Sequence, residues 1–121
     1  MAGFLLAQDP ARERGWIAAR GPLRLGSIFC LQDPGPEPDV AKLRLFLVER
    51  SERGTGLAHR MLETCLSFAR TAGYRKMRLW THESHRAAGR LYARNGFAVT
   101  EARAARSFRQ DVVVQIWERS L

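Results

Sequence analysis

The sequence predicts a mixed α/β fold whose elements run strand, strand, strand, helix, strand, helix, strand, strand. Three observations predict it. Short runs rich in β-branched and aromatic residues fill the first third of the chain. Two later stretches repeat apolar residues at helical spacing, and each ends at a glycine. Further short apolar runs lie between and after those helices, so the centre of the chain is a strand-helix-strand crossover, expected to be right-handed.

Gly15–Ala19 (GWIAA) reads as a short strand, and Gly21-Pro22 begins a turn. Leu25–Leu31 (LGSIFCL) is a second strand. Asp33–Asp39 (DPGPEPD) carries three prolines at alternate positions, which cannot join a sheet interior, so it is a loop. Ala41–Val48 (AKLRLFLV) is a third strand. Strict alternation would put Leu43, Leu45 and Leu47 on one face and Lys42, Arg44 and Phe46 on the other. Leu57, Ala58, Met61, Leu62, Cys65, Leu66 and Ala69 then recur at helical spacing, and Gly73 supplies the stop. Lys76–Thr81 (KMRLWT) is a fourth strand. Ser84 is placed to cap a second helix carrying Ala87, Ala88, Leu91 and Tyr92, which Asn95-Gly96 closes in a left-handed turn. Phe97–Thr100 and Val112–Trp117 complete the strands, with a charged connection between them.

A chain of 121 residues is expected to form a single domain, residues 1–121. No apolar run approaches the ~20 residues of a membrane helix. The opening MAGFLLAQDP has no basic leader and is a poor signal peptide, so the expected location is the cytoplasm and no membrane partner is expected. The net charge of +8 comes mainly from arginine, for Lys42 and Lys76 are the only lysines among 20 basic residues. Two readings of it stand: alanine- and arginine-rich residue usage, or a polyanionic ligand or surface. The arginines form no block and no recognition helix is apparent, which disfavours nucleic acid. Cys30 and Cys65 are 35 apart, without metal or redox spacing, and are expected to be buried free thiols. His82 and His85 lack an evident third ligand, so no metal is expected.

Arg53–Leu62 (RGTGLAHRML) joins the third strand to the first helix through two glycines. As a dinucleotide fingerprint it fails, because His59 stands at the third glycine position; as a phosphate-binding loop it lacks Gly-Lys-Ser/Thr. The physics behind both still applies. A helix N-terminus offers unpaired N–H groups and about half a positive charge, and glycine lets a phosphate approach without meeting a Cβ. A merely tight turn with solvated Arg50 and Arg53 is the alternative.

Arg53-Gly54-Thr55-Gly56-Leu57-Ala58 is similar to the R/Q-x-x-G-x-G/A signature of the GNAT superfamily of N-acetyltransferases. Ala88–Phe97 resembles that superfamily's second motif, A-x-x-x-Y-x-x-x-G-F, in the expected order and on the expected elements. The likeness covers Gly15 to Trp117. Wording around KLRLFLVE and SFRQDVVVQIW also resembles the acetyltransferase half of bacterial fusions with a winged-helix regulator. The resemblance implies a twisted, mostly antiparallel mixed sheet and acetyl-CoA as cosubstrate. It implies that Arg53, Gly54, Thr55, Gly56, Leu57 and Ala58 hold the pyrophosphate, and that Leu47 and Val48 border the pantetheine arm. An amine, expected to belong to a small-molecule acceptor, attacks the thioester directly.

In this family Tyr92 would protonate the departing thiolate; an aromatic packed near a helix end is the plainer reading. Glu49, at the end of the third strand, is the candidate base or a solvated turn residue. Lys42 and Arg44 stand where some members place a catalytic glutamate; Arg44 suits a substrate carboxylate. His85 falls where many members have an asparagine, and reads as an ordinary first-turn residue. The family's first strand and first helix are expected to be absent, with Gln8–Arg14 forming the end of the second helix. That leaves three possibilities: a trimmed member, a pocket completed by homodimerisation, or a relic that binds CoA poorly; a non-catalytic CoA-binding or regulatory module is the alternative function.

Overall fold

Four consecutive strands, each paired antiparallel with the next, build the first half of the molecule. They are β1 (Ala2–Phe4), β2 (Arg14–Arg20), β3 (Leu23–Gln32) and β4 (Val40–Val48). The structure is a computed structural model describing residues 2–4, 11–107 and 109–121. It divides into two units, Met1–Met77 with Leu121 and Arg78–Ser120.

In the first unit β1 is a strand absent from the sequence-based order. Its Gly3 lies opposite Trp16. The expected helical turn over Gln8–Arg14 falls partly outside the described residues; of those described, 11 and 12 form a turn and Arg14 already belongs to β2. The proline-rich loop is as expected, closed by Asp33 N–H donating to Val40 O at 2.9 Å and by Gly35 N–H donating to Asp33 Oδ2 at 3.0 Å.

Helix α1 (Leu57–Thr71) packs on β3 and β4. Its apolar stripe buries Leu57, Met61, Leu62, Cys65, Leu66 and Ala69, as the periodicity predicts. Facing it are Ile28, Cys30, Val40, Ala41 and Leu43, all 5% exposed or less. Cys30 and Cys65 are both buried free thiols. A hydrogen bond with Cys30 and burial push the Cys65 thiol well above its usual range, so that sulfur stays protonated, and both buried thiols pack as small apolar groups.

Strict alternation fails in β4. Ser27 lies opposite Leu47, but Phe29 lies opposite Arg44, so Leu45 and Phe46 together face Ile28. This is a β-bulge, and Leu45 takes it up with φ 51, a left-handed conformation rare for leucine. The extra residue turns the strand over. Leu43 stays in the core, whereas Leu45 and Leu47 are 57% and 65% exposed.

In the second unit, helix α2 (Arg86–Arg94) precedes a long hairpin of β6 (Ala98–Ser107) and β7 (Gln110–Ser120). The helix starts later than expected: His85, not Ser84, occupies the cap position, with no side-chain cap bond. Its stripe buries only Tyr92. The supposed charged connection between the last two strands is itself strand, paired from Ala98↔Glu118 to Ser107↔Gln110. Charges at Arg103 and Arg106 masked it, although an exposed hairpin arm tolerates them because one face meets water. Strand β5 (Lys76–His82) carries the chain from the first unit into the second.

At Gly26 the β4 backbone and α1 leave no room for a side chain. A Cβ there would sit 2.7 Å from the Leu47 carbonyl oxygen and 3.1 Å from Met61 Sδ. Gly26→Ala should therefore lower stability by about 1–3 kcal/mol. The expected result is a lower denaturant midpoint at unchanged slope.

Candidate functional site

The path from β4 into α1 is set by a few local hydrogen bonds. Glu49 N–H donates to Leu25 O at 2.8 Å, and a single 3₁₀ turn, Arg50–Glu52, follows. The Glu52 carbonyl then accepts twice from Thr55, from its N–H at 3.2 Å and its hydroxyl at 2.6 Å. Thr55 Oγ1 in turn accepts from Leu57 N–H at 3.3 Å. Gly54 (φ 79) and Gly56 (φ 82) supply the two left-handed steps that this winding needs. A Cβ at Gly54 would meet nothing within 4 Å, so the space outside the turn is open.

Among the described residues, nothing accepts from the amides of Gly54, Gly56, Ala58 and His59. These four donors lie at the N-terminus of a 15-residue helix, the end where negative charge is favoured. Arg50 and Arg53 are exposed beside it. Arg60, one turn into the helix, reaches back so that its Nη1 lies 3.9 Å from where a Gly56 Cβ would sit. Leu57 differs from its neighbours in the motif: its amide is engaged by Thr55 and its side chain is buried in the core.

Glu52 belongs to this machinery and was not singled out in the sequence. It is 8% exposed and accepts from Arg20 Nη2 at 3.2 Å, which ties the turn to β2. Nothing in the local pattern marks a glutamate between Ser51 and Arg53 as buried. Only the fold brings Arg20 to it.

Beside the end of β4 lies a cleft of about 450 Å³. Ile17, Leu25, Leu47 and Val48 give it an apolar floor, and Arg24, Glu49 and Arg50 stand on its rim. Ser27, also in the lining, donates its hydroxyl to Leu45 O at 2.7 Å and so pins the bulge. Arg44 is exposed on β4 but lies before the bulge and does not line this cleft. A second, more open cleft of about 640 Å³ lies between β2 and α1. Its wall is the Trp16–Phe68 edge-to-face pair, with the Arg14 guanidinium 4.7 Å above Phe68.

In the second unit Tyr92 is 6% exposed and packs against Phe97 and Trp117, with ring centroids 5.7 and 5.9 Å away. Burial raises its hydroxyl pKa from 10.0 to about 12, so the phenol stays protonated through the physiological range. His82 and His85 stack face to face, centroids 5.4 Å apart, and Thr81 Oγ1 lies 3.3 Å from His85 Nδ1. No cluster that could hold a metal ion occurs among the described residues. No helix among them is long and apolar enough to cross a membrane.

Thus the structure gathers Leu47, Val48, Glu49 and the run Arg53–Ala58 around one strand end and one helix start. Arg44 stands apart from them within the same unit, and Tyr92 is in the other unit.

Several known proteins resemble this chain over most of its length. Residues 3–97 match the acetyltransferase (GNAT) family. The N-acetyltransferases 8F1 and 8B of Rattus norvegicus are each 33% identical, over 90 and 87 residues. Those matches take in 73% and 70% of this chain but 41% and 39% of the rat proteins, so the chain spans about two fifths of their length. A GNAT-family acetyltransferase from Streptococcus pneumoniae superposes with a TM-score of 0.82 at 16% identity, covering 92% of this chain and 68% of that one. A GNAT-family acetyltransferase from Elizabethkingia anophelis with acetyl-CoA bound gives 0.73 at 14% identity, covering 91% and 77%. At such identities the structural likeness speaks for the fold.

Tyr92 yields a pH prediction. Its folded pKa lies above the unfolded value, so the unfolded chain releases the proton first as pH rises. The stabilisation is complete below pH 10 and is lost between pH 10 and about 12. The loss should amount to about 2–3 kcal/mol. Ultraviolet titration should show a phenol ionising near pH 12, and Tyr92→Phe should abolish that step.

Proposed function

We propose that this chain, which belongs to the acetyltransferase (GNAT) family, transfers an acetyl group from acetyl-CoA to a primary amine of a small-molecule acceptor. A C–N bond forms as the thioester C–S bond breaks, the electron pair leaving on sulfur. The observation that carries this reading is the glycine turn with its four amides free of acceptors among the described residues.

The residues present fit the cosubstrate. Gly54, Gly56, Ala58 and His59 offer N–H donors to a diphosphate, and open space outside Gly54 admits it. Arg50, Arg53 and Arg60 add positive charge at the same helix end, where an anion is already favoured by about 0.3–1 kcal/mol. Leu47 and Val48 border the strand end along which the pantetheine arm is proposed to lie. Acetyl-CoA, when bound, supplies an activated thioester. Glu49, exposed on the cleft rim, is the group proposed to take the amine proton, directly or through water.

Tyr92 is proposed to steady the sulfur as it leaves. A phenol held near 12 is a weak acid, and full proton transfer to a thiolate of ordinary basicity near 8.5 is uphill. Its contribution is therefore a hydrogen bond that strengthens as charge develops on sulfur. Arg44 is proposed only as an outlying carboxylate partner.

Thiol release from acetyl-CoA across a panel of amines tests the reading, and absence of both release and acetyl-CoA binding would refute it. Two substitutions sharpen it. Gly56→Val forces a β-branched residue to φ 82, closes space at the amides and should weaken acetyl-CoA binding more than about tenfold. Tyr92→Phe should lower kcat by about 10²-fold. Melting temperature and acetyl-CoA affinity should stay near wild type, and donors with a more acidic thiol should suffer less. Equal losses of stability and activity would make Tyr92 a core residue only.

A further inference from the structure

We propose that the 450 Å³ cleft beside β4 receives the acceptor, and that this acceptor is an amino acid-like zwitterion with an apolar side chain. The inference rests on the acetyltransferase reading and adds the substrate class. Its volume lies within the range of small-ligand sites.

Three features of the cleft point to that class. Its floor is apolar: Ile17, Leu25, Leu47 and Val48 line it, and Leu47 is 65% exposed on a strand whose other face is core. An exposed leucine is ordinary when isolated, but here the bulge at Leu45 turns this side of the strand toward the cleft instead of burying it. Next, the rim carries both signs. Arg24 and Arg50 bring two guanidinium groups and Glu49 one carboxylate, and none of the three has an ion-pair partner among the described residues. A molecule with one ammonium and one carboxylate satisfies both: the carboxylate goes to arginine, whose planar fork suits it, and the ammonium to Glu49. Finally, the balance excludes other amines. Two cations against one anion repel a polyamine, and no acidic patch of the kind an aminoglycoside needs lines the cleft.

Glu49 then does two things in sequence. It holds the ammonium, then accepts its proton, freeing the nitrogen lone pair that forms the C–N bond as the C–S bond breaks. That first proton passes on to solvent; after attack the acylated nitrogen gives up its second proton to the departing sulfur, which has taken the C–S electron pair and leaves as the thiol.

The test compares leucine, leucinamide and spermidine as acceptors, with ligand-observed NMR as a binding readout independent of turnover. Leucine should exceed both others by about tenfold or more in kcat/KM, since leucinamide keeps the amine and side chain but lacks the carboxylate. Arg24→Gln should bring the leucine-to-leucinamide ratio close to one while acetyl-CoA affinity and melting temperature stay unchanged, and Arg24→Lys should restore part of the preference. Thiol release with spermidine or leucinamide equal to that with leucine would overturn the proposal and leave the acetyltransferase reading standing. Absence of leucine binding by NMR would also overturn it. Leucine binding without thiol release would uphold the site and count against catalysis alone.

Discussion

The Glu52 carbonyl governs how the chain leaves β4 and enters α1. By accepting both the N–H and the hydroxyl of Thr55, it winds residues 52–57 into a turn that L-residues enter only at a cost of roughly 1–2 kcal/mol per left-handed step, and Gly54 and Gly56 remove that cost. With those bonds made internally, the amides left over are those facing outward at the helix start. The unengaged amides are thus a by-product of how the turn satisfies itself. The ion pair between Arg20 and Glu52 fixes the turn against β2, but its arginine is 70% exposed, so its worth is in placement more than in stability.

The bulge in β4 follows a similar logic. A leucine at φ 51 carries strain on the order of 1–3 kcal/mol. The Ser27 hydroxyl bond to its carbonyl returns about 1 kcal/mol of that, and the packing of Leu43, Ile28 and Met61 on either side holds the rest. What the strain accomplishes is a change of face. Beyond Leu45 the strand presents Leu47 outward, beside a cleft with charged walls, while before it the strand remains bound to α1. Gly26 allows the two backbones to approach closely enough for this to happen without opening the sheet.

The second unit solves a different problem. A nine-residue helix with arginines at 86, 90 and 94 has little to bury, and like charges at i,i+4 work against it by a few tenths of a kcal/mol each. It is held mainly through Tyr92, packed among Phe97 and Trp117. The same burial that anchors the helix raises the phenol's pKa. Burial thus keeps the Tyr92 phenol protonated up to about pH 12.

Much of this was legible along the chain because the signals are local. The helical stripe from Leu57 to Ala69, the stops at Gly73 and Gly96, the proline loop and the paired glycines each depend on residues within a few positions of one another. The two motifs likewise showed the family that the match over residues 3–97 bears out. Alternation is also local, which is why it misplaced Leu45 and Leu47: a bulge is settled by the partner strand, through Ser27 and Ile28, and β4 carries no sign of it. The edge strand Ala2–Phe4 went unseen because it is short and pairs with residues more than ten positions away, and the β6 arm beyond Thr100 because its charges hide a strand. The burial of Glu52, the position of Arg44 outside the cleft and the gathering of Arg24, Glu49 and Arg50 on one rim were decided only in three dimensions. Sequence fixes backbone preference and period, whereas charge placement depends on which strands meet, and that is set by packing across the sheet.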